Sequence, residues 1–243
     1  MAVTMPEKQI TYEEALTEYL ARYITDNRKE TIEQVLFDRT RFLTVVLEDI
    51  YQSHNASAVV RTCECMGLQD LHIIESRSKY GVNKKVLKGS NKWISMHRYK
   101  EKGANNISQC YESLRRNGYR ILAMDPAPDG DSLFDIPING KIALVMGNEL
   151  EGLSAYAIEH ADEKVRVPMY GFTESMNVSV TAAISMNILL TRMRSLDFTW
   201  RLSEDEKASL RLEWYRKCVR RSEIVEKEFG RTFTARVLPS AKE

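Results

Sequence analysis

The chain has 243 residues, 43% of them hydrophobic, and its 35 basic and 34 acidic side chains leave a formal net charge of +1. This length suits one large domain or a domain with helical attachments, and the apolar content is ample for a core. The balanced charge excludes an argument for nucleic-acid binding from overall charge, so such a function must rest on local basic clusters.

Two helices begin the predicted fold. "TYEEALTEYLARYI" opens with Thr11 and Glu14 in capping-box spacing, and "ETIEQVLFDR" follows a polar break at 26–28. Short β-rich segments come next, and several of the intervening segments have helical patterns. These β-rich segments are 43–50, 68–76, 119–126, 141–149 and 164–169. Strands that alternate with helices predict an α/β fold with a largely parallel sheet covered on both faces.

A charged helix is predicted near the C-terminus. Ser203 and Glu206 form a second capping box, and we expect one long amphipathic helix to continue from there to about Phe229. From about Arg231 no pattern is clear, which predicts a loosely held tail. The predicted organisation is therefore an N-terminal helical extension over 1–42, an α/β domain over 43–196 and a C-terminal helical extension over 197–243.

The N-terminal segment and the cysteines indicate the cellular setting. "MAVTMPEKQITYEE" has no apolar core behind a basic start, and no apolar run approaches the roughly 20 residues of a membrane span. The cysteines include no C-x-x-C pair, so we expect neither a zinc site nor a disulfide framework but reduced, mostly packed thiols. They are Cys63, Cys65, Cys110 and Cys218. The sequence predicts a soluble, cytoplasmic protein without a membrane or metal partner.

The motifs of the commonest α/β enzymes are absent from this sequence. No G-x-G-x-x-G follows a predicted strand, and neither a G-x-x-x-x-G-K-[ST] loop, a G-x-S-x-G elbow nor an H-E-x-x-H helix occurs. Dehydrogenases, P-loop NTPases, α/β-hydrolases and zincins therefore lose their support.

Polar residues instead follow three of the predicted strands. They are Asn55 and Arg61 after the first strand, Gly147, Asn148 and Glu149 after the fourth, and Ser175 and Asn177 after the fifth. Because ligands of open α/β sheets bind beyond the carboxyl ends of the strands, these three exits predict a binding crevice.

Structural roles are an alternative for several of these residues. Asn55 could cap its own helix, and Ser175 or Asn177 could cap the apolar helix that begins at Val178. Glu149 could bond the backbone of a turn. Arg61 is harder to explain in this way, because a cation among apolar helix neighbours is rarely buried without a partner.

Three stretches resemble motifs of the SPOUT methyltransferases, specifically the TrmH branch of tRNA (guanosine 2′-O)-methyltransferases. "HNASAVVRTCECMGLQDLHII" resembles the first motif, "LVMGNELEGLS" the second and "VPMYGFTESMNVSVTAAISMNIL" the third. The resemblance runs from about Asn27 to Phe229 and includes "WRLSEDEKASLRLEWYRK". Asn148 stands where relatives often carry Ala, Gln or Ser, and Met176 stands where Leu is usual; neither departure affects a catalytic position.

The resemblance implies a fold and a cofactor that periodicity could not show. It implies a deep trefoil knot in the C-terminal part of the domain, an obligate homodimer, and S-adenosylmethionine bent into the knot. The residues implied to surround the cofactor, mostly through backbone groups, are Met124, Gly147, Val167 and Met176.

The resemblance also implies the catalytic set. Arg61 matches the proposed activator of the ribose 2′-hydroxyl, and Asn55, Glu149, Ser175 and Asn177 are implied around it. Because an arginine pKa lies above about 12, a neutral guanidine is scarce at neutral pH. We therefore hypothesise that Arg61 grips a substrate phosphate and lowers the hydroxyl pKa electrostatically.

A basic segment between residues 77 and 100 is a candidate RNA surface, with a solvated loop as the alternative. The residues proposed as contacts are Lys84, Lys85, Lys88 and Lys92, with Lys79, Arg98 and Lys100 nearby. The resemblance adds Arg28, Arg39 and Arg41, which match basic positions that meet tRNA in the family.

The substrate is predicted from the resemblance. Relatives that methylate ribosomal RNA typically add a separate α/β RNA-binding domain at the N-terminus, whereas this chain begins with short helices. We therefore expect 2′-O-methylation of the D-loop guanosine of tRNA, with ribosomal RNA as the second choice and a non-catalytic RNA-binding dimer as the third.

Overall fold

The structure, a computed structural model, describes residues 10–237. They divide into two compact units. One unit is Arg39–Arg201, and the other combines the described residues before Arg39 with those after Arg201.

The smaller unit is helical. Its helices are α1 (Tyr12–Ala21), α2 (Asp26–Asp38), α8 (Glu204–Cys218) and α9 (Ser222–Val237). Both predicted capping boxes are confirmed: Thr11 caps α1 with Glu14, and Ser203 caps α8 with Glu206. Helix α1 packs on α8 and α9, and α2 packs on α8.

The prediction of one long C-terminal helix is wrong. The chain leaves helical geometry at Val219 (φ −81°, ψ 122°), and Arg221 has a φ of +57° before α9 begins. The break lets α8 and α9 each present apolar side chains to α1, and Tyr12 packs against Phe229 with 5.3 Å between ring centroids. Helix α9 also extends through Val237, so the expected unpatterned tail is wrong to that point; residues 238–243 lie outside the described range.

The larger unit is built on a seven-stranded sheet in the order β3-β2-β1-β6-β4-β7-β5. The strands are β1 (Leu43–Glu48), β2 (Asp70–Ile74), β3 (Ser95–Tyr99), β4 (Tyr119–Met124), β5 (Asp131–Ser132), β6 (Lys141–Met146) and β7 (Glu163–Arg166). Every pairing is parallel, which confirms the predicted sheet type. The sequence missed β3 and β5.

Helices cover both faces of this sheet. They are α3 (Ser53–Cys65), α4 (Lys84–Leu87), a 3₁₀ turn (Ser90–Lys92), α5 (Asn106–Arg116), α6 (Ala155–Glu159) and α7 (Val178–Arg194). Because successive strand side chains point to opposite faces, Val45 and Leu47 join the core beneath α3 and α7, whereas Val46 joins the core beneath α5 and α6.

Helix α7 is the apolar helix that the sequence predicts after the third polar exit. It buries Ala182, Met186 and Leu189, and the sulfur atoms of Met186 and Cys63 in α3 lie 3.6 Å apart. This packing holds the N-terminus of α7 near the carboxyl ends of the strands, where the three polar exits meet.

Candidate active site

A cavity of about 620 Å³ lies at the carboxyl ends of β4, β6 and β7. All four residues expected to surround a cofactor line it, as do four of the five residues expected to be catalytic. These lining residues are Met124, Gly147, Val167 and Met176, with Asn55, Glu149, Ser175 and Asn177. The cavity therefore joins the three strand exits that the sequence singles out.

Gly147 stands where the backbone approaches the next turn most closely. A Cβ placed on Gly147 would lie 2.3 Å from the carbonyl carbon of Gly152 and 2.3 Å from the amide nitrogen of Leu153, so no other residue fits. Asn148 and Gly152 exchange two backbone hydrogen bonds of 2.9 Å, and Gly152 has a φ of +72°. The second motif is thus a tight backbone turn at the cavity wall.

Glu149 connects the second exit to the first. Its carboxylate accepts hydrogen bonds from the backbone amides of Tyr51 (3.0 Å) and Gln52 (3.2 Å) and from Nδ2 of Asn55 (2.8 Å). Asn177 then donates from Nδ2 to Oδ1 of Asn55 at 3.1 Å. A continuous hydrogen-bond chain, Asn177 to Asn55 to Glu149, therefore links all three exits.

The ionisation of Glu149 follows from this geometry. Burial is the largest influence and favours the neutral acid, but the hydrogen bonds from Asn55 and from the backbone together outweigh it and lower the pKa of Glu149. Glu149 is therefore a charged acceptor at neutral pH, and it fixes which way the amide of Asn55 points.

The capping alternatives have different outcomes at the two asparagines. Helix α3 begins after Gln52 without a side-chain cap, and Asn55 is buried within its first turn, so capping by Asn55 is wrong. Asn177 does cap α7, since its Oδ1 accepts from the backbone amide of Ser179 at 2.9 Å. Its Nδ2 donates to Asn55 at the same time, so Asn177 both caps α7 and belongs to the hydrogen-bond chain at the cavity.

Arg61 is not brought to this cavity within the chain. It is exposed on α3, and across residues 10–237 its side chain has neither a hydrogen bond nor an ion pair. Arg61 lies six residues after Asn55 on α3, which is about 9 Å along the helix axis and about 120° away around it. The role of Arg61 at the ribose 2′-hydroxyl therefore stays a prediction.

A family model described as the SpoU rRNA methylase family matches residues 42–187. The chain belongs to this family. A tRNA (guanosine(18)-2′-O)-methyltransferase of Borreliella burgdorferi is 44% identical over 207 residues, which are 85% of this chain and 93% of that protein.

Two solved structures extend the comparison. The A. aeolicus TrmH/SpoU tRNA modifying enzyme superposes with a TM-score of 0.68 at 27% identity, covering 85% of this chain and all of that one. The SpoU methyltransferase AviRb of Streptomyces viridochromogenes, crystallised with AdoMet, has a TM-score of 0.57 at 23% identity and covers 65% of this chain and 63% of that one. The predicted α/β fold of a SpoU methylase is therefore confirmed.

The basic residues of this SpoU methylase divide into exposed and structural ones. Lys84 and Lys85 in α4, Lys88 after it and Lys92 in the 3₁₀ turn are all exposed, as is Arg28 at the start of α2. The basic segment is not the single loop of the alternative, since it contains α4 and β3.

Arg39 is wrong as an RNA contact. It is completely buried, and its guanidinium donates to the carboxylate of Glu64 at 3.2 Å and to the carbonyl oxygen of Leu68 at 3.1 Å. Arg39 thus fastens the end of α3 to the chain before β1. Arg41 is partly exposed and pairs with Asp70 at 2.8 Å.

Asp49, which the sequence did not single out, follows β1 directly and has a φ of +50°. Its Oδ1 accepts from the backbone amides of Ser76, Arg77 and Ser78 at 2.8 to 3.0 Å, and its carbonyl oxygen accepts from Nδ2 of Asn148 at 2.7 Å. Its place at a strand exit, beside the polar residues already singled out, was the available signal.

Residues 10–237 contain no helix long and apolar enough to cross a membrane. The same part of the chain contains no group of three His, Cys, Asp or Glu side chains that could hold a metal ion.

Proposed function

We propose that this chain transfers a methyl group from S-adenosylmethionine to the ribose 2′-hydroxyl of guanosine 18 in tRNA. The observation that carries the proposal is the hydrogen-bond chain of Asn177, Asn55 and Glu149 beside the cavity wall at Gly147. The proposal is supported by the similarity to the tRNA (guanosine(18)-2′-O)-methyltransferase of Borreliella burgdorferi, which this chain matches over 93% of that protein's length.

The cavity fits the proposed cofactor. Its volume of about 620 Å³ falls within the range of about 300–1,000 Å³ that is typical of ligand sites. Met124, Val167 and Met176 supply apolar contact surface, and the close turn at Gly147 brings backbone donors and acceptors to the wall. When bound, S-adenosylmethionine supplies a methyl group on a sulfonium, which is a good leaving group.

The chain's own contribution is mainly positioning. Orientation of reacting groups can lower a barrier by about 7–11 kcal/mol, whereas a general base typically adds about 10²–10⁴-fold. The lowered pKa of Glu149 makes it a weak base. Glu149 therefore orients Asn55, and the amides of Asn55 and Asn177, with the Ser175 hydroxyl, hold the ribose.

Arg61 is proposed to bind an RNA phosphate and to lower the pKa of the 2′-hydroxyl through its positive charge. Its exposed place on α3 is accessible to a nucleic acid. A planar guanidinium binds phosphate with two parallel hydrogen bonds, which an ammonium cannot do. Arg61→Lys should therefore lose most turnover at saturating cofactor; near-full turnover would contradict the need for the guanidinium.

The RNA surface is proposed to include the exposed cations Lys84, Lys85, Lys88 and Lys92 of the sheet unit, with Arg41 as a further contact. Arg28, in the helical unit, is proposed separately as an RNA contact. Recognition should depend on tRNA shape and backbone as much as on base identity, because structured RNA presents phosphates and 2′-hydroxyls more readily than base edges.

We also propose a homodimer, a trefoil knot and a cytoplasmic location. A knot is consistent with the chain path, since β7 pairs with β4 and β5 while the following helix α7 packs against α3, the helix that follows β1. A knotted chain pulled by its termini should reach a shorter end-to-end extension than an unknotted chain with the same number of residues.

Labelled S-adenosylmethionine incubated separately with total tRNA and with ribosomal RNA, both from a strain lacking this protein, tests the substrate. We expect label in tRNA at guanosine 18. Label in ribosomal RNA alone, which the family description makes the competing outcome, or at another tRNA site, would overturn the substrate. Absence of transfer to any RNA would overturn the enzyme activity itself.

A further inference from the structure

A second cavity, of about 350 Å³, lies beside the first. The two share a wall made of the turn at 148–153, which contributes Asn148, Leu150 and Glu151 to both. Tyr51, Arg77 and Ser78 line the second cavity only. A substrate whose ribose lies at the Asn55 network therefore has a separate compartment across the 148–153 turn.

The loop that carries Arg77 is rigidly built. Three successive amides, those of Ser76, Arg77 and Ser78, donate to one carboxylate oxygen of Asp49. Asp49 adopts the left-handed region, which a residue other than glycine does at a cost, and its carbonyl is bonded by Asn148. The scaffold thus fixes Arg77 against the same turn that carries Glu149.

Arg77 and Glu151 form an ion pair at this cavity. Their side chains are 61% and 69% exposed, so the pair contributes little to stability. The pair does place the hydrogen-bond donors of Arg77 directly beside the acceptors of Glu151 at the cavity. Such an ordered pair can distinguish ligands by the order of their own acceptors and donors.

We propose that this second cavity binds the base of the target guanosine, an inference that rests on the proposed function. Guanine presents the O6 acceptor next to the N1–H and N2–H donors, so Arg77 donates to O6 while Glu151 accepts from N1–H and N2–H. Adenine presents a donor at N6 and an acceptor at N1, the opposite order. With the ribose held at Asn55, the N6 donor of adenine would face the donors of Arg77, and the N1 acceptor of adenine would face the acceptors of Glu151.

Tyr51 supplies the stacking surface for this base. Its side chain is 68% exposed at the same cavity, and its backbone amide donates to Glu149 at 3.0 Å. Bases stack on aromatic side chains without much regard to sequence, because every base has a π-face. Tyr51 therefore binds any base, whereas Arg77 and Glu151 select guanine.

The test compares tRNA transcripts with guanosine or adenosine at the target position, at saturating S-adenosylmethionine. The ratio of kcat/KM for the guanosine transcript to kcat/KM for the adenosine transcript should fall about tenfold in Arg77→Gln and in Glu151→Gln. Tyr51→Ala should raise KM for both transcripts and leave that ratio unchanged. Exchanging the pair (R77E with E151R) should shift preference toward adenosine.

Asp129→Asn is the matched control, because Asp129 is an exposed carboxylate paired with Lys164 that lines neither cavity. Its ratio should equal that of the wild type. An unchanged guanosine preference in Arg77→Gln, Glu151→Gln and the exchanged pair, each still methylating RNA, would overturn the base site alone. Wild-type protein that methylates neither transcript nor any tRNA would instead overturn the proposed function.

Discussion

Gly147 is the residue whose side-chain size the cavity restricts most directly. A methyl group there would overlap the backbone at Gly152 and Leu153, at 2.3 Å, and backbone cannot move aside as a flexible side chain can. Gly147→Ala should therefore open the turn at 148–152 and weaken S-adenosylmethionine binding more than tenfold, measured by isothermal titration calorimetry.

Gly140→Ala is the control for that substitution. No atom lies within 4 Å of a Cβ at Gly140, and its φ is not in the left-handed region. It should bind the cofactor as the wild type does. Equal cofactor affinity in Gly147→Ala and Gly140→Ala would show that the turn does not form the cofactor wall.

For single residues, the sequence predicted which polar residues follow the strands better than it predicted the contacts of their side chains. Asn55, Glu149 and Asn177 were identifiable because each follows a strand, and parallel strands bring their carboxyl ends to one edge. The hydrogen bond between Asn177 and Asn55 spans 122 residues and could not be read from spacing. Arg39 looked like other surface cations, because its burial depends on Glu64 lying at the far end of α3.

Helix α4 and the 3₁₀ turn that follows carry the exposed lysines of the RNA surface. Each phosphate contact releases counterions, so RNA affinity falls with salt in proportion to the number of contacts. Replacing Lys84, Lys85 and Lys88 by Gln should weaken RNA binding and lower the slope of log affinity against log salt by up to about 3.

Filter binding at several salt concentrations measures that slope. Lys164→Gln, which removes a lysine already paired with Asp129, is the control and should leave the slope unchanged. A triple variant with the wild-type slope would exclude α4 from the RNA surface.

Strands β2 and β3 meet through a polar cluster that the sequence did not indicate. His72 stacks on His97 with 4.6 Å between ring centroids and bonds the Tyr99 hydroxyl at 3.1 Å, while His97 bonds Asp70 at 2.9 Å. Strand β3 was missed because it lies at the sheet edge, where its half-exposed residues give no apolar run.

This cluster predicts a pH-dependent stability. Burial first, and His97 second, lower the pKa of His72 from 6.5 to about 4, with Asp70 opposing. As the pH falls, His72 is therefore protonated near pH 6.5 in the unfolded chain but only near pH 4 in the folded chain. The stabilisation is complete above pH 6.5, and up to about 3 kcal/mol is lost as the pH falls to 4.

Urea unfolding at several pH values between 4 and 7 measures this effect. His72→Leu should flatten the pH dependence, whereas substitution of the exposed His54 by Gln should leave it as in the wild type. An unchanged slope in His72→Leu would assign the acid sensitivity to other groups.

For the whole molecule, the sequence predicted the layer type but not the strand order. Alternating strand and helix patterns require crossovers, and crossovers favour parallel strands. The order β3-β2-β1-β6-β4-β7-β5 depends on which strand each crossover reaches, and local patterns carry no such information. The break between α8 and α9 was likewise hidden, since both halves are charged and helical in pattern.

The assembly state is the last expectation, and it follows from apolar surface near the cavity. Tyr170 and Phe172 are almost fully exposed, and Val180 on the first turn of α7 is 48% exposed. Exposed apolar side chains of this size mark a candidate interaction site. We expect two copies to bury these side chains, giving a particle of twice 28.0 kDa in light scattering.

Val180→Asp should yield the monomer, because an unpaired charge is costly to bury at an interface. Val82→Asp, a change at a valine that is 49% exposed elsewhere on the unit, should remain dimeric. A monomeric wild type, or equal behaviour of the two variants, would remove α7 from the proposed dimer contact.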